Sequence, residues 1–224
     1  MLGFHSARAV VEHGRAAFFS TGSADLPLGR SAQLQAHDLV PQFGFVGDRY
    51  KEKRVLILGI NPGNGPRDDV PTPADARMLP ALEAFANAPT PERFARASSA
   101  YMAECQRWPV WTRHCKEVLG SGGLSFDQIA YSNCLPWRTD SESRFANEIA
   151  LRATELYVEP LIAELKPKIV IALGKRAATM LTKHNHPSYE SVVWNRAQAA
   201  TPNVIAERAA AAARIFAVLS SGAH

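Results

Sequence analysis

A glycine-rich loop that carries one asparagine is the first place in this sequence where chemistry is expected. Residues 59–66 read GINPGNGP and continue an apolar run at 54–60. The glycine spacing matches neither the G-x-G-x-x-G dinucleotide fingerprint nor a P-loop, since no Gly-Lys-Ser/Thr follows. Glycines let the backbone approach a ligand closely, while the two prolines stiffen its path. A rigid loop that presents Asn61 and several backbone amides suits a site for an anionic or carbonyl-rich leaving group.

The elements that must position this loop alternate between strands and helices. Strand candidates are runs at residues 54–60, 128–133, 168–173 and, more weakly, 190–194. After an N-terminal helix at 6–19 and an irregular lead-in to residue 50, helix candidates lie at 74–87, 91–119 (divided by Pro109), 146–165 and 203–219. This alternation predicts one α/β domain over residues 1–224, a three-layer α/β/α sandwich around a four-stranded, mainly parallel sheet. In such sheets the ligand site lies outside the carboxyl ends of the strands, where Asn61 is expected.

The composition restricts the classes of function. The 224 residues carry a formal net charge of +4, which is compatible with a polyanionic partner without requiring one. No apolar run is long enough to span a membrane, and the N-terminus lacks the apolar core of a signal peptide, so we expect a cytoplasmic protein. Cys105, Cys115 and Cys134 lack the paired spacing of a metal site. We therefore expect neither a metal nor another cofactor.

Two segments of the chain resemble a known family. GINPG after an apolar strand resembles the first active-site motif of the uracil-DNA glycosylase superfamily. It is nearest to the mismatch-specific and single-strand-selective branches, which carry asparagine where the most active branch carries aspartate. Residues 165–175, LKPKIVIALGK, are similar to the third strand of that superfamily and the turn after it. The resemblance covers roughly residues 40–182, in scattered motifs.

The resemblance implies a role for each residue of the first loop. Asn61 would hold the water that attacks C1′ of the deoxyribose, and Ile60, Gly63 and Asn64 would lie against the base. The amide oxygen of Asn61 can orient that water but cannot take its proton as a carboxylate would. Catalysis would then depend on an electron-deficient sugar cation and on backbone donors to the departing uracil anion.

A second asparagine stands at the end of another predicted strand. Residues 131–139, YSNCLPWRT, are similar to the superfamily segment in which an asparagine reads the flipped base. An amide offers an acceptor to N3–H of uracil and a donor to O4, whereas cytosine presents the reverse pattern. Asn133 therefore has the groups needed to select uracil. Trp137 and Arg138 just beyond it would pack on bases or phosphates, or cover the sheet edge.

Two segments compete for the second catalytic loop of the family, which pushes into the DNA. His186 and Ser188 belong to a His-Pro-Ser sequence, but too few residues separate it from the preceding helix for a strand to intervene. The order of elements favours Asn195 and Arg196, which follow the strand at 190–194. His186 and Ser188 remain the alternative.

One feature of such glycosylases is missing. No aromatic residue follows the first motif to stack on the base, so stacking would fall to Phe43, Phe45 or Tyr50, or activity would be weak. Asp68 and Asp69 are expected to form a solvated turn rather than assist the water. The prediction is a glycosylase that removes uracil or a related damaged base from DNA, without a membrane role. An inactive nucleic-acid- or nucleotide-binding module on the same fold is the alternative, and a small-molecule α/β enzyme ranks last.

Overall fold

The computed structural model describes residues 1–19, 40–62, 73–137, 147–182, 188–197 and 199–221. The chain divides into two compact units that alternate along the sequence. The first comprises Met1–Phe45, Ile60–Glu104 and Asn133–Leu165, and the second comprises Val46–Gly59, Cys105–Ser132 and Lys166–His224. The prediction of one domain over residues 1–224 stays a prediction.

The sheet of the described residues has five strands rather than the predicted four. In chain order they are β1 (Phe45–Val46), β2 (Val55–Gly59), β3 (Ile129–Asn133), β4 (Ile169–Leu173) and β5 (Glu190–Trp194). Their order across the sheet is β1-β3-β2-β4-β5. The β2–β4 and β4–β5 pairs are parallel, with Leu56 opposite Val170 and Ile171 opposite Val192. The α/β fold with a mainly parallel sheet is confirmed, and the strand count is corrected.

The burial of each strand explains its sequence. Every residue of β2, β3 and β4 is buried. The strands β2 and β4 are continuous apolar runs, as burial between neighbouring strands favours, whereas β3 ends in the polar residues Ser132 and Asn133. The edge strand β5 instead alternates buried Val192 and Trp194 with more exposed positions. The strand β1 was missed because two residues carry no periodic signal. Next to β1, the Gly47 N–H donates to the Ile129 carbonyl oxygen at 2.9 Å.

The second unit also contains short helices and one long one. They are α2 (Tyr50–Lys53), a π-helical turn (Trp111–Cys115) that continues into α5 (Lys116–Gly122), a 3₁₀ turn (Phe126–Gln128), α8 (Lys175–Thr182) and α9 (Pro202–Ser220). The hydroxyl of Thr201 caps α9 by accepting from the Val204 N–H at 3.4 Å.

The first unit is helical around an aromatic cluster. Its helices are α1 (Phe4–Phe19), α3 (Pro73–Asn87), α4 (Pro91–Cys105), α6 (Asn147–Ala153), a π-helical turn (Thr154–Val158) and α7 (Glu159–Leu165). Edge-to-face and tilted ring contacts join Phe4, Phe43, Phe85, Phe94 and Tyr157. The predicted break near Pro109 is confirmed, because α4 ends at Cys105 and helical structure resumes at residue 109.

None of the helices in the described part of the chain is long and apolar enough to cross a membrane.

Candidate active site

Asn61 lies two residues beyond the end of β2. The strand ends at Gly59, and both Ile60 and Asn61 are buried, with 4% and 6% of their surfaces exposed. Pro62 is buried too. Burial therefore continues from the strand through Ile60 and Asn61 to Pro62, and the Asn61 amide lies in a protected environment.

Asn133 is the last residue of β3 and is more deeply buried still, at 1% exposed. Its Nδ2 donates to the hydroxyl oxygen of Tyr101 on α4, at a long 3.5 Å. Sequence reasoning missed Tyr101, although it falls on the buried face of α4 with Phe94 and Ala97. A tyrosine on the buried face of a helix, where its hydroxyl needs a hydrogen-bond partner, is the signal that would have indicated it.

Two backbone hydrogen bonds bring three segments of the first unit together. The Leu135 N–H donates to the Ile60 carbonyl oxygen at 2.9 Å, so the segments that carry Asn61 and Asn133 are neighbours. The Gln42 N–H donates to the Pro136 carbonyl oxygen at 2.7 Å. Each segment contributes one buried carboxamide: Gln42, Asn61 and Asn133. Sequence reasoning brought two of them to one place and missed the third, Gln42.

The aromatic residues proposed to stack on a base are all buried. The ring of Phe43 packs edge-to-face on Phe85 at 5.4 Å, and its carbonyl oxygen accepts from the Tyr157 hydroxyl at 3.3 Å. Phe45 and Tyr50 are each 1% exposed, and burial raises the pKa of the Tyr50 phenol. All three rings are held in core positions, so the stacking partner of a base stays unassigned.

Trp137 is likewise an interior residue. It is 2% exposed and packs edge-to-face on Phe18 and Phe19 of α1, with ring centroids 4.7 and 6.2 Å apart. This packing accounts for Trp137 without any contact to bases. Arg138 lies outside the described residues.

The Asn195–Arg196 segment, in the second unit, forms a braced loop after β5. Asn195 Oδ1 accepts from the Ala197 N–H at 2.8 Å, and its Nδ2 donates to the Glu207 carboxylate. From α9, the guanidinium of Arg208 donates to the carbonyl oxygens of Asn195 and Ala197, both at 2.9 Å. Three of these four hydrogen bonds hold backbone atoms on either side of Arg196, and the fourth holds the Asn195 side chain.

Arg196 lies over the turn that follows β4. Its Cδ is 3.6 Å from the point where a Cβ on Gly174 would stand. Gly174 has φ +92°, a backbone conformation that residues with a side chain rarely adopt. Its N–H donates to the Trp194 carbonyl oxygen at 2.9 Å. The Leu-Gly-Lys turn of the sequence therefore supports the Arg196 loop.

His114, in the π-helical turn Trp111–Cys115, is buried and lies under the influence of three arginine charges. The pKa of His114 is lowered from its ordinary 6.5 to about 4, first of all by burial. The charges of Arg208, Arg196 and Arg113 act in the same direction. The imidazole is therefore neutral near pH 7. One of the three arginines, Arg208, also pairs with the Glu117 carboxylate at 3.5 Å.

Several of the residues predicted to form the site lie outside the described part of the chain. Those outside the described residues are Gly63, Asn64, Asp68, Asp69 and His186. Ser188, the described member of the alternative loop, is exposed in the turn before β5. Among the described residues, no group of three or more histidine, cysteine or acidic side chains is placed to hold a metal ion.

The match to a protein-family model decides the relationship. The model of the uracil DNA glycosylase superfamily matches residues 47–218. The chain belongs to the uracil DNA glycosylase superfamily. A comparison with curated proteins finds none that matches the chain.

The superfamily match includes both asparagines and the Arg196 loop. It begins just after β1 and ends within α9, so it spans Asn61, Asn133 and Arg196. The helix α1 and residue Gln42 precede it. Members of the superfamily generally hydrolyse N-glycosidic bonds in DNA, which suggests activity of that kind for this chain.

Proposed function

We propose that this protein is a monofunctional DNA glycosylase that hydrolyses the N-glycosidic bond of uracil or a related damaged base in DNA. The observation that carries the proposal is the pair of buried amides, Asn61 and Asn133, on segments joined by the Leu135–Ile60 hydrogen bond. Membership of the uracil DNA glycosylase superfamily supports the reaction class.

Asn61 is the catalytic residue of the proposal. Its amide oxygen accepts a hydrogen bond from the attacking water and so directs the water oxygen at C1′. The C1′–N1 bond breaks with its electron pair going to the base, while the water oxygen bonds to C1′ and its proton is released. The products are the free base and an abasic deoxyribose. Since an amide cannot accept that proton, we expect turnover to be slow.

Asn133 selects the base in this proposal. Its Oδ1 accepts from N3–H of uracil, and one Nδ2 proton is donated to O4. The second Nδ2 proton is donated to the Tyr101 hydroxyl oxygen, which lies 3.5 Å away. The carboxamide is buried, so each pairing is formed away from competing water and discriminates strongly.

DNA binding is assigned to the Arg196 loop. The hydrogen bonds from Arg208 fix the backbone there, and a fixed backbone lowers the entropy lost when Arg196 pairs with a phosphate. The neighbouring positive charges attract DNA irrespective of its sequence.

The direct test is an excision assay on matched oligonucleotides. The protein is incubated with single- and double-stranded DNA that carries one uracil, or thymine or cytosine at the same position. Alkali then cleaves the DNA at any abasic site. We expect cleavage at uracil, and Asn61→Ala should lower its rate by roughly 10²-fold or more with little change in DNA binding.

Asn203→Ala supplies the matched control. Asn203 is exposed in the first turn of α9, so its truncation should leave excision unchanged. Wild-type protein that binds the DNA but leaves no abasic site would instead indicate the inactive binding module. Full activity in Asn61→Ala would move the catalytic role to another residue.

A further inference from the structure

Gln42 is a buried side chain that the chemistry described so far does not use. It is 1% exposed, the same as Asn133, and it precedes the segment matched by the superfamily model. Both its Nε2 and its Oε1 are inaccessible to solvent, and neither has a hydrogen-bond partner among the described residues. A buried amide left without partners is costly, and native proteins keep few of them.

The backbone around Gln42 places it beside the base-reading segment. The Gln42 N–H donates to the Pro136 carbonyl oxygen at 2.7 Å, three residues after Asn133. The next hydrogen bond, from Leu135 to Ile60, leads to Asn61. One hydrogen-bonded set of three segments thus carries three buried carboxamides, and all three belong to the first unit.

We propose that Gln42 is a further specificity-determining residue, which donates a hydrogen bond to a second carbonyl group of the bound base. The inference rests on the proposed glycosylase function. Asn133 pairs with one carbonyl and the adjacent ring N–H, and the Nε2 of Gln42 pairs with the other carbonyl when a base is present. The ligand class is a planar heterocycle with two ring carbonyls, such as uracil or xanthine, in preference to cytosine or hypoxanthine, which have one.

The substitution Gln42→Leu separates this role from a structural one. Leucine has a similar volume and no polar atoms, so it removes an unpaired amide without removing an internal hydrogen bond. We expect the melting temperature to stay the same or rise. Uracil excision should fall roughly ten- to a hundredfold, and excision of hypoxanthine should change far less.

Gln128→Leu is the matched control from the same chain. Gln128 is also buried, but its Nε2 donates to Glu52 at 2.9 Å and its Oε1 accepts from the Ser125 N–H at 3.0 Å. Removing this satisfied amide should lower the melting temperature by about 2 to 10 °C. Excision per folded molecule should stay that of the wild type.

The experiment measures excision of uracil, xanthine, cytosine and hypoxanthine from matched single-stranded oligonucleotides, together with melting temperatures. The side-chain NH₂ resonances of Gln42 are also followed by NMR as free uracil is added to the wild-type protein, where a shift is expected. Two results would overturn this inference and leave the proposed function intact, provided that the wild-type protein is active. One is a preference for uracil that is the same in Gln42→Leu as in the wild type. The other is a loss of melting temperature in Gln42→Leu as large as that in Gln128→Leu. Wild-type protein that neither excises nor binds any of these bases would overturn the proposed function and this inference together.

Discussion

Replacing Asn133 by aspartate changes one group of the side chain and keeps its shape. Asn133 is 1% exposed at the end of β3, and its Nδ2 lies 3.5 Å from the Tyr101 oxygen. An ionised aspartate keeps an acceptor for N3–H of uracil but loses the donor for O4. It also places negative charge beside a carbonyl that becomes more anionic as the glycosidic bond breaks.

The expected magnitude follows from the burial of this position. One pairing lost in a buried site is worth roughly 1–3 kcal/mol, which corresponds to about a ten- to hundredfold slower excision of uracil. Excision of cytosine should suffer less, because its N4 amine donates to the new acceptor. The uracil-to-cytosine ratio should therefore fall by at least about tenfold.

The same burial makes the effect depend on pH. A carboxyl group in so buried a position has its pKa raised, because burial disfavours the charged form. Once protonated, it again offers one donor and one acceptor, as the amide did. Uracil excision by Asn133→Asp should consequently recover as the pH falls. The uracil-to-cytosine ratio of the wild-type protein should not depend on pH in this way.

The assay is single-turnover excision from matched single-stranded oligonucleotides with uracil or cytosine at one position. Wild-type protein and Asn133→Asp are compared at pH 8 and at pH 5.5, and the uracil-to-cytosine ratio is the measured quantity. The same ratio for both proteins at both pH values would refute base reading by Asn133. Its place at the end of β3 would then be structural only.

Three further predictions concern the second unit. The unfolded chain protonates His114 below about pH 6.5 and the folded protein only near pH 4, so the free energy of unfolding should fall by up to about 3 kcal/mol as the pH drops through this range. In urea unfolding at a series of pH values, the free energy of unfolding of His114→Gln should depend less on pH than that of the wild type. Parallel pH profiles for the two proteins would contradict the prediction. Gly47→Ala should lower the free energy of unfolding by roughly 1–3 kcal/mol in urea, because the new Cβ would stand 2.2 Å from the Asp127 carbonyl oxygen. The control Gly120→Ala places its Cβ where no atom lies within 4 Å, so it should not destabilise the protein. Arg196→Ala should weaken binding to single-stranded DNA of any sequence and lower the slope of log K against log salt by roughly one, and an unaltered slope would exclude a phosphate contact.

Local patterns in the sequence determined the main strands and the position of the first asparagine. A strand buried between neighbours needs a continuous apolar run, so β2 and β4 could be predicted from their residues alone. The turn chemistry of glycine and proline marks where β2 ends, so Asn61 could be placed at a strand end without any contact being known. Asn133 could be placed in the same way.

Other features depend on residues that are far apart in the chain, and only the tertiary structure decided them. The strand β1 has two residues and exists by its place beside β3, so no local periodicity could reveal it. The Arg208 side chain braces a loop that lies 11 to 13 residues before it, and the pKa of His114 depends on burial and on arginines of other elements. Gln42 is an ordinary polar residue in the sequence. It becomes a candidate for base recognition because folding buries its amide beside the Asn133 segment and supplies no partner for it among the described residues, a property of packing rather than of sequence.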